Sequence, residues 1–167
     1  MKQKGFTLIE LVVVIIVIGI LSAAAAMMIT VGSQAKVVSE HLLELNGSGE
    51  QALEIVMKHI VNIRSNSVSD LNVTITGGEN DQLNMTTITG DDIIIFEEDG
   101  FLYEEVNGED ALLAANLDTA PTFTYYGSDG NKTSTVTNVR YIGVSFTLSI
   151  DNESADFSQV AYLRNSQ

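Results

Sequence analysis

The chain has 167 residues and carries 22 acidic residues against 8 basic ones, for a formal net charge of −14 at pH 7. This excess of negative charge argues against direct binding to nucleic acid, because contacts with phosphates need a basic surface. The absence of cysteine excludes disulfides, and the length leaves room for one modest domain beyond a long helix.

The first element is an apolar run that follows a short polar start. Residues 4–10 read KGFTLIE, and the stretch from Leu11 to Ile29 contains no charged residue. As a helix this stretch spans roughly 28 Å, against about 30 Å for the hydrocarbon core of a bilayer. A secretory signal peptide has its small-residue cleavage site after the apolar region, whereas here the glycine comes first. We therefore predict a membrane-spanning helix.

Charged residues near this run predict its orientation and pose one difficulty. Lys2 and Lys4 precede the run and only Lys36 follows it closely, so the positive-inside tendency favours a cytoplasmic amino terminus. Glu10 is the difficulty, because an ionised carboxylate within an apolar helix costs roughly 2.5–3.5 kcal/mol. Two interpretations stay open: Glu10 is solvated near the lipid headgroups, or it pairs with a positive charge.

Residues 4–16, which read KGFTLIELVVVII, resemble the class III prepilin signature of type IV pilins and pseudopilins. The resemblance implies that a membrane aspartyl peptidase cleaves after Gly5 and methylates the new amino group of Phe6. It also implies that Glu10 pairs with the amino terminus of Phe6 on a neighbouring subunit. Two buried charges that neutralise each other are tolerated better than one alone, so this pairing would set the register of subunits.

The resemblance also implies partners: other pilins or pseudopilins, the prepilin peptidase, an inner-membrane assembly platform and the membrane itself. The chain departs from many pilins at two points. Its only proline is Pro121, which leaves Gly19 as the candidate weak point of the amino-terminal helix. It also lacks the cysteines with which many type IV pilins close a carboxy-terminal loop. The second departure favours a pseudopilin or minor pilin over a major pilin of that kind.

The helical pattern continues beyond the apolar run. Because its phase carries through residues 47–49, we predict one helix to about Arg64 that tolerates two glycines at roughly 1 kcal/mol each. A hinge or break at these glycines is the alternative. The exposed half of the helix is expected to pack its apolar stripe under a sheet. The stripe has three- and four-residue spacings and consists of Val38, Leu42, Leu45, Leu53, Val56, Met57 and Ile60.

From Ser65 onward, short β-rich runs alternate with turns of Gly, Asn and Asp. Consecutive hairpins predict a mainly antiparallel sheet and, with the long helix, an α+β fold of the pilin type. Strands are expected near Leu71–Thr76, Leu83–Thr89, Asp92–Glu97, Phe101–Val106, Thr122–Tyr126, Val139–Ile150 and Phe157–Arg164. The expected domains are a leader peptide at 1–5, a transmembrane and filament-core helix at 6–35, its amphipathic continuation at 36–64 and a globular β domain at 65–167.

Three stretches of the β region show a looser resemblance, to the J-type minor pseudopilins of type II secretion and their minor-pilin counterparts. They are residues 93–103, 139–148 and 160–165. This resemblance implies a subunit near the filament tip, where minor subunits prime assembly and contact cargo or surfaces.

Acidic residues are densest between Glu97 and Asp110. We interpret this segment as a solvated hairpin edge whose charge resists unwanted strand pairing. A calcium site is the alternative, since hard cations bind clustered oxygens, but no recognised loop spacing is present.

Nothing in the sequence indicates catalysis. His41 and His59 lie on the predicted helix, with no cysteine, metal-ligand spacing or nucleophile motif near them. We predict that the chain is not an enzyme, has no catalytic residues and holds neither cofactor nor metal.

The predicted function is a structural subunit of a type IV pilus-like filament or type II secretion pseudopilus, and preferably a minor one. It would sit in the bacterial inner membrane with a cytoplasmic amino terminus and then move into an extracytoplasmic filament. A major shaft pilin is one alternative, and a membrane-anchored binding module that never polymerises is another. A DNA-uptake filament also stays open, because another subunit could supply the basic surface.

Overall fold

The computed structural model describes residues 7–63 and 78–163. Its first element, α1, is a single α-helix from Leu8 to Val61. The prediction of one helix that continues through the two glycines is therefore confirmed, although the helix ends at Val61 rather than near Arg64. The chain divides into two compact units between Glu40 and His41. Residues 8–40 of α1 are treated below separately from the rest.

Within the described residues, eight strands form two four-stranded sheets in which every pairing is antiparallel. The first sheet has the order β1-β6-β7-β8, and the second has the order β2-β3-β4-β5. The strands of the first sheet are β1 (Glu79–Asn80), β6 (Leu117–Tyr126), β7 (Tyr141–Ile150) and β8 (Glu153–Tyr162). The strands of the second are β2 (Leu83–Thr86), β3 (Asp92–Glu98), β4 (Phe101–Val106) and β5 (Glu109–Ala114).

One hydrophobic core joins both sheets to the second part of α1. Alternate residues of β7 are buried, because successive side chains of a strand point to opposite faces. The helix contributes the predicted stripe from Leu45 onward, and each fully buried aliphatic side chain is worth about 1.5–3 kcal/mol. The α+β fold, with a long helix packed on antiparallel sheets, is thus confirmed. The helix and β7 contribute Leu45, Ala52, Val56, Met57, Ile60, Ile142, Val144, Phe146 and Leu148.

Gly49 explains why a glycine is useful inside this helix. A Cβ built on Gly49 would lie 2.2 Å from Cζ of Phe157, which is far inside van der Waals contact. The missing side chain therefore lets β8 approach the helix closely. Among the described residues nothing lies within 4 Å of the corresponding position on Gly47.

The hairpin turns follow their residue chemistry. Asp99 and Gly100 have φ angles of 53° and 80°, and Asn107 and Gly108 have 53° and 88°. Positive φ at both central residues is the pattern of tight hairpin turns with Asp-Gly or Asn-Gly.

Strand β5 is not among the strands predicted from the sequence. Its core, Ala111 to Ala114, consists of good helix formers, and most of the strand is exposed. Its strand conformation comes from pairing with β4, where Val106 lies opposite Glu109. Strands β6 and β8 begin earlier than predicted, at Leu117 and Glu153. The predicted strand at Leu71–Thr76 lies outside the described residues.

Candidate functional site

The amino-terminal end of α1 is closed by a capping box. Thr7 precedes the helix, and its backbone N–H and its hydroxyl both donate to Oε2 of Glu10, at 3.3 Å each. The backbone N–H of Glu10 donates in return to the hydroxyl oxygen of Thr7 at 3.4 Å. This reciprocal arrangement satisfies backbone donors that a helix start otherwise leaves without partners. Glu10 therefore has a local structural role in its own chain.

Thr7 is a functional candidate that the sequence interpretation missed. The signal was present, because Thr7 and Glu10 stand in the Ser/Thr-x-x-Glu spacing that marks a capping box ahead of an apolar run. The two other residues of the predicted processing site, Gly5 and Phe6, lie outside the described residues. Cleavage after Gly5 and methylation of Phe6 accordingly stay predictions.

Residues 8–31 of α1 present apolar side chains on every side of the helix. Leu8 is 81% exposed, and the large apolar residues that follow are also exposed. The helix is long and apolar enough to cross a membrane, as judged by length and composition. Two polar side chains near the end of this stretch bond within the helix: the Thr30 hydroxyl donates to the carbonyl of Ala26 at 3.0 Å, and the Ser33 hydroxyl donates to that of Thr30 at 2.8 Å. Such internal bonds lower the cost of polar groups in an apolar environment.

The two histidines of α1 each face an acidic residue. His59 Nε2 lies 2.9 Å from Oε2 of Glu104, and both side chains are largely buried. His41 Nδ1 lies 3.9 Å from Oδ2 of Asp151, which is exposed. His59 thus ties the helix to the second sheet, whereas His41 only approaches the turn between β7 and β8. In the described ranges, no group of three or more His, Cys, Asp or Glu side chains could hold a metal ion.

The acidic residues of the segment Glu97–Asp110 spread over several surfaces rather than converging. Glu97 accepts the backbone N–H of Gly100 at 2.9 Å, while Glu104 points inward to the histidine. Glu105 and Asp110 lie opposite each other on adjacent strands. This arrangement fits a charged hairpin and offers a calcium ion no ligand cluster within the described residues.

A small network connects this hairpin to the turn between β2 and β3. Asp91 accepts a hydrogen bond from the Thr89 hydroxyl at 2.5 Å and another from the side-chain amide of Asn107 at 2.9 Å. These bonds hold the pKa of the Asp91 carboxyl below its ordinary value. The network positions two exposed turns and contains no group arranged for catalysis.

Comparison with known proteins identifies the amino-terminal segment. Residues 1–26 match the family model described as the prokaryotic N-terminal methylation motif. A search of curated proteins found no match to the chain, and a search of solved structures also found none. The motif supports the type IV pilin and pseudopilin class, which is structural rather than enzymatic and assembles with other pilins after contact with the prepilin peptidase. Together with the apolar part of α1, it is consistent with membrane anchoring.

Proposed function

We propose that this chain is a structural subunit of a type IV pilus-like filament or of a type II secretion pseudopilus. The observation that carries the proposal is the methylation motif at residues 1–26, which leads directly into an exposed apolar helix. In the sequence Glu10 is the only charged residue between Lys4 and Lys36. Such a helix can face lipid first and neighbouring helices later, which a filament subunit requires.

The capping box suggests how Glu10 serves both the single chain and the filament. Both bonds from Thr7 reach one carboxylate oxygen, Oε2. A carboxylate has acceptor capacity on two oxygens, so Oε1 can accept a bond from another group while the cap persists. In our proposal that group is the methylated ammonium of Phe6 on a neighbouring subunit, formed when the peptidase cleaves after Gly5. The pair neutralises two charges in a low-dielectric layer and sets the stagger of adjacent helices.

The proposed topology follows from the same segment. Residues 1–5 form the leader, residues 6–35 span the inner membrane and later line the filament core, and residues 36–61 continue the helix outside. Residues 65–167 form the extracytoplasmic domain, with the amino terminus in the cytoplasm. The inner-membrane assembly platform and the other pilins or pseudopilins are the proposed partners.

Within this proposal we prefer a minor subunit. The support is the looser J-type resemblance and the absence of cysteine, which sets the chain apart from disulfide-closed major pilins. A major shaft pilin is the alternative. The ratio of this chain to other subunits in filaments distinguishes a minor subunit from a major one.

The experiment is quantitative mass spectrometry of membranes and sheared filaments from the native host. We expect a chain that begins at a methylated Phe6 and is present in the filament fraction. A small, reproducible share supports the minor subunit, and a dominant share identifies the shaft subunit. An unprocessed chain confined to membranes contradicts the proposal and favours the anchored binding module.

Replacing Gly5 with Val sharpens this experiment. The bulkier residue should block cleavage and leave the chain in the membrane. Gly32→Val is the matched control, because among the described residues nothing lies within 4 Å of a Cβ at that position. Equal processing of both variants would count against cleavage at Gly5.

A further inference from the structure

The outward face of the second sheet carries an exposed cluster of aromatic and aliphatic side chains. Phe96 stacks on Tyr103 with ring centroids 5.7 Å apart, and the ring centroids of Phe101 and Tyr103 are 6.3 Å apart. Leu112 lies opposite Tyr103 and is 55% exposed. Leu102, between Phe101 and Tyr103, is buried in the core, because successive side chains of a strand point to opposite faces. We call Phe96, Phe101, Tyr103 and Leu112 the aromatic cluster.

Carboxylates continue this face toward the turn between β4 and β5. Glu105 lies opposite Asp110 on one side and opposite Ile94 on the other. Asp92, Ile94 and Glu105 line one open cavity of about 510 Å³. A long cationic side chain suits such a surface, because its stem is apolar and its end is charged. We call these four residues, together with the aromatic cluster, the carboxylate-aromatic face.

The pairing of Glu105 with Asp110 is unfavourable for the chain by itself. Like charges at directly opposite positions of adjacent strands destabilise a sheet. No ion pair among the described residues involves either of these two carboxylates or Asp92. The repulsion is therefore not offset within the described part of the chain, and a cation from another molecule would relieve it.

A second copy of the chain has little positive charge to offer this face. Between residues 78 and 163 the sequence contains only two basic residues. Lys132 pairs with Glu79, and Arg140 donates to two backbone carbonyls. With a net charge of −14, a second copy would add repulsion rather than a counter-charge. The charge of the face therefore favours a different molecule as its occupant.

The geometry of the carboxylates suits a guanidinium better than a metal ion. In the described ranges, no group of three or more His, Cys, Asp or Glu side chains could hold a metal. Glu105 and Asp110 come from adjacent strands, which lie about 4.7–4.9 Å apart. A planar guanidinium has five N–H donors and can bond two carboxylates at once. Tyr103 supplies an aromatic ring on the same face, and a guanidinium is attracted to such a ring.

We propose that the carboxylate-aromatic face docks a basic segment of a different extracytoplasmic protein. An arginine of that segment binds Glu105 and Asp110, and its apolar neighbours pack on the aromatic cluster. Opposite charges at the border fix the orientation of the partner, and the exposed apolar centre supplies contact area. Tyrosine and arginine are also the residue types that most often anchor protein interfaces.

The proposal deepens the proposed function and rests on it in one respect. Export of the β domain places this face outside the cytoplasm, so the partner must be there as well. A face that binds a different protein requires no second copy beside it. It therefore suits a minor subunit, whose neighbours are other proteins.

Isothermal titration calorimetry of the full chain in a non-ionic detergent tests the charge recognition. The probe is the end-blocked pentapeptide Leu-Arg-Leu-Arg-Leu, and the matched peptide has citrulline at both arginine positions, which keeps the shape and removes the charge. We expect the arginine peptide to bind about tenfold more tightly, and its affinity to fall as salt is raised. Equal affinities of the two peptides would overturn the proposal.

A lysine version of the same peptide tests the guanidinium assignment. Lysine carries the same charge but has no planar fork of donors, so it should bind several-fold more weakly than arginine. Equal binding of the lysine and arginine peptides would refute the bridging of Glu105 and Asp110 by one guanidinium.

Variants of the chain locate the binding site. Glu105→Gln with Asp110→Asn should weaken binding of the arginine peptide about tenfold. Glu44→Gln with Glu50→Gln is the matched control, because it removes the same charge from two exposed positions of α1 and should leave the affinity unchanged. Leu112→Ser keeps every carboxylate and should also weaken binding. Equal losses in the two double variants would show that only net charge matters, which contradicts a docking site.

The purified chain and the native host separate this proposal from the proposed function. Processed chain in the filament fraction that does not bind the arginine peptide overturns the docking and leaves the filament role intact. A chain that binds the peptide but is absent from filaments keeps the docking and contradicts the filament role. Self-association in analytical ultracentrifugation that Glu105→Gln with Asp110→Asn abolishes would identify a second copy as the occupant and overturn the proposal.

Discussion

Residues 8–40 and residues 41–61 belong to one helix, yet they meet their surroundings in opposite ways. In the first part, large apolar side chains are exposed on all sides, and a Cβ on Gly19 or Gly32 would meet nothing described within 4 Å. In the second part, the apolar stripe is buried, and Gly49 is in close contact with Phe157. Secondary structure is the same in both, so packing alone distinguishes them. The second part is completed by its own chain, and the first needs lipid or another molecule.

Glu10→Ala should have the largest effect on the first part of the helix, because Glu10 is the only charged residue between Lys4 and Lys36 in the sequence. We expect the variant to insert in the membrane and its share of the filament fraction to fall about a hundredfold, since an unpaired buried ammonium would remain on the neighbour. Immunoblots of membranes and sheared filaments measure both quantities.

Glu40→Ala is the matched control for that variant. Glu40 lies on the same helix and makes only an exposed ion pair with Lys36, at 3.4 Å. Such pairs contribute little, so the control should assemble normally. Normal assembly of Glu10→Ala as well would refute the pairing.

Gly49→Ala and Gly47→Ala test how packing against the sheet affects stability in the second part of the helix. The first change forces a methyl group into the ring of Phe157 and should destabilise the protein by about 1–3 kcal/mol through overpacking. The second adds a better helix former where no described atom lies within 4 Å of the new methyl group, and it should stabilise by up to about 1 kcal/mol. Thermal unfolding of the full chain in detergent gives both values.

A change at Phe157 tests whether its ring causes the destabilisation by Gly49→Ala. Phe157→Leu combined with Gly49→Ala should recover part of the lost stability, because the clashing ring is removed. If Gly49→Ala and Gly47→Ala shift the midpoint equally, the close contact does not control stability at this position.

Thr7→Ala probes the start of the exposed part. Loss of the cap should cost about 1 kcal/mol of helix stability, and Thr7→Ser, which keeps the hydroxyl, should cost much less. Hydrogen exchange of the amides at residues 8–11 measures the fraying directly. Equal exchange in the two variants would show that the side chain of Thr7 does not cap the helix.

Tyr125→Phe should have the smallest effect, and its sign is informative. Tyr125 is fully buried, burial raises the pKa of its hydroxyl, and that hydroxyl has no hydrogen-bond partner in the described part of the chain. Removing an unpaired buried hydroxyl should leave stability unchanged or raise it by up to about 1 kcal/mol. A loss of stability in thermal unfolding would reveal an ordered water or another partner.

Features with a local cause could be predicted from the sequence, and those set by distant contacts could not. The uninterrupted phase of the apolar stripe across Gly47 and Gly49 correctly predicted one helix. The Asp99-Gly100 and Asn107-Gly108 turns were equally readable, because each residue pair demands its own backbone angles. By contrast, Ala111–Ala114 favours helix on its own and becomes a strand only beside β4. The division into two sheets depends on strand pairing and register, which no local pattern contained.

The candidate site could also be predicted only in part. The methylation motif was visible in a few residues, and Glu10 stood out because its charge was out of place. The spacing of Thr7 from Glu10 is also a local signal, but the out-of-place charge of Glu10 predicts a partner in another subunit and not one three residues away. The structure adds the partner within the chain.

The attachment of the second part of α1 has a mechanical consequence. His59 holds it to β4 at 2.9 Å, and its buried stripe packs in one core with both sheets, whereas His41 lies 3.9 Å from the exposed Asp151. A pull on this part of the helix would therefore have to disrupt the hydrophobic core itself and not only contacts at the surface.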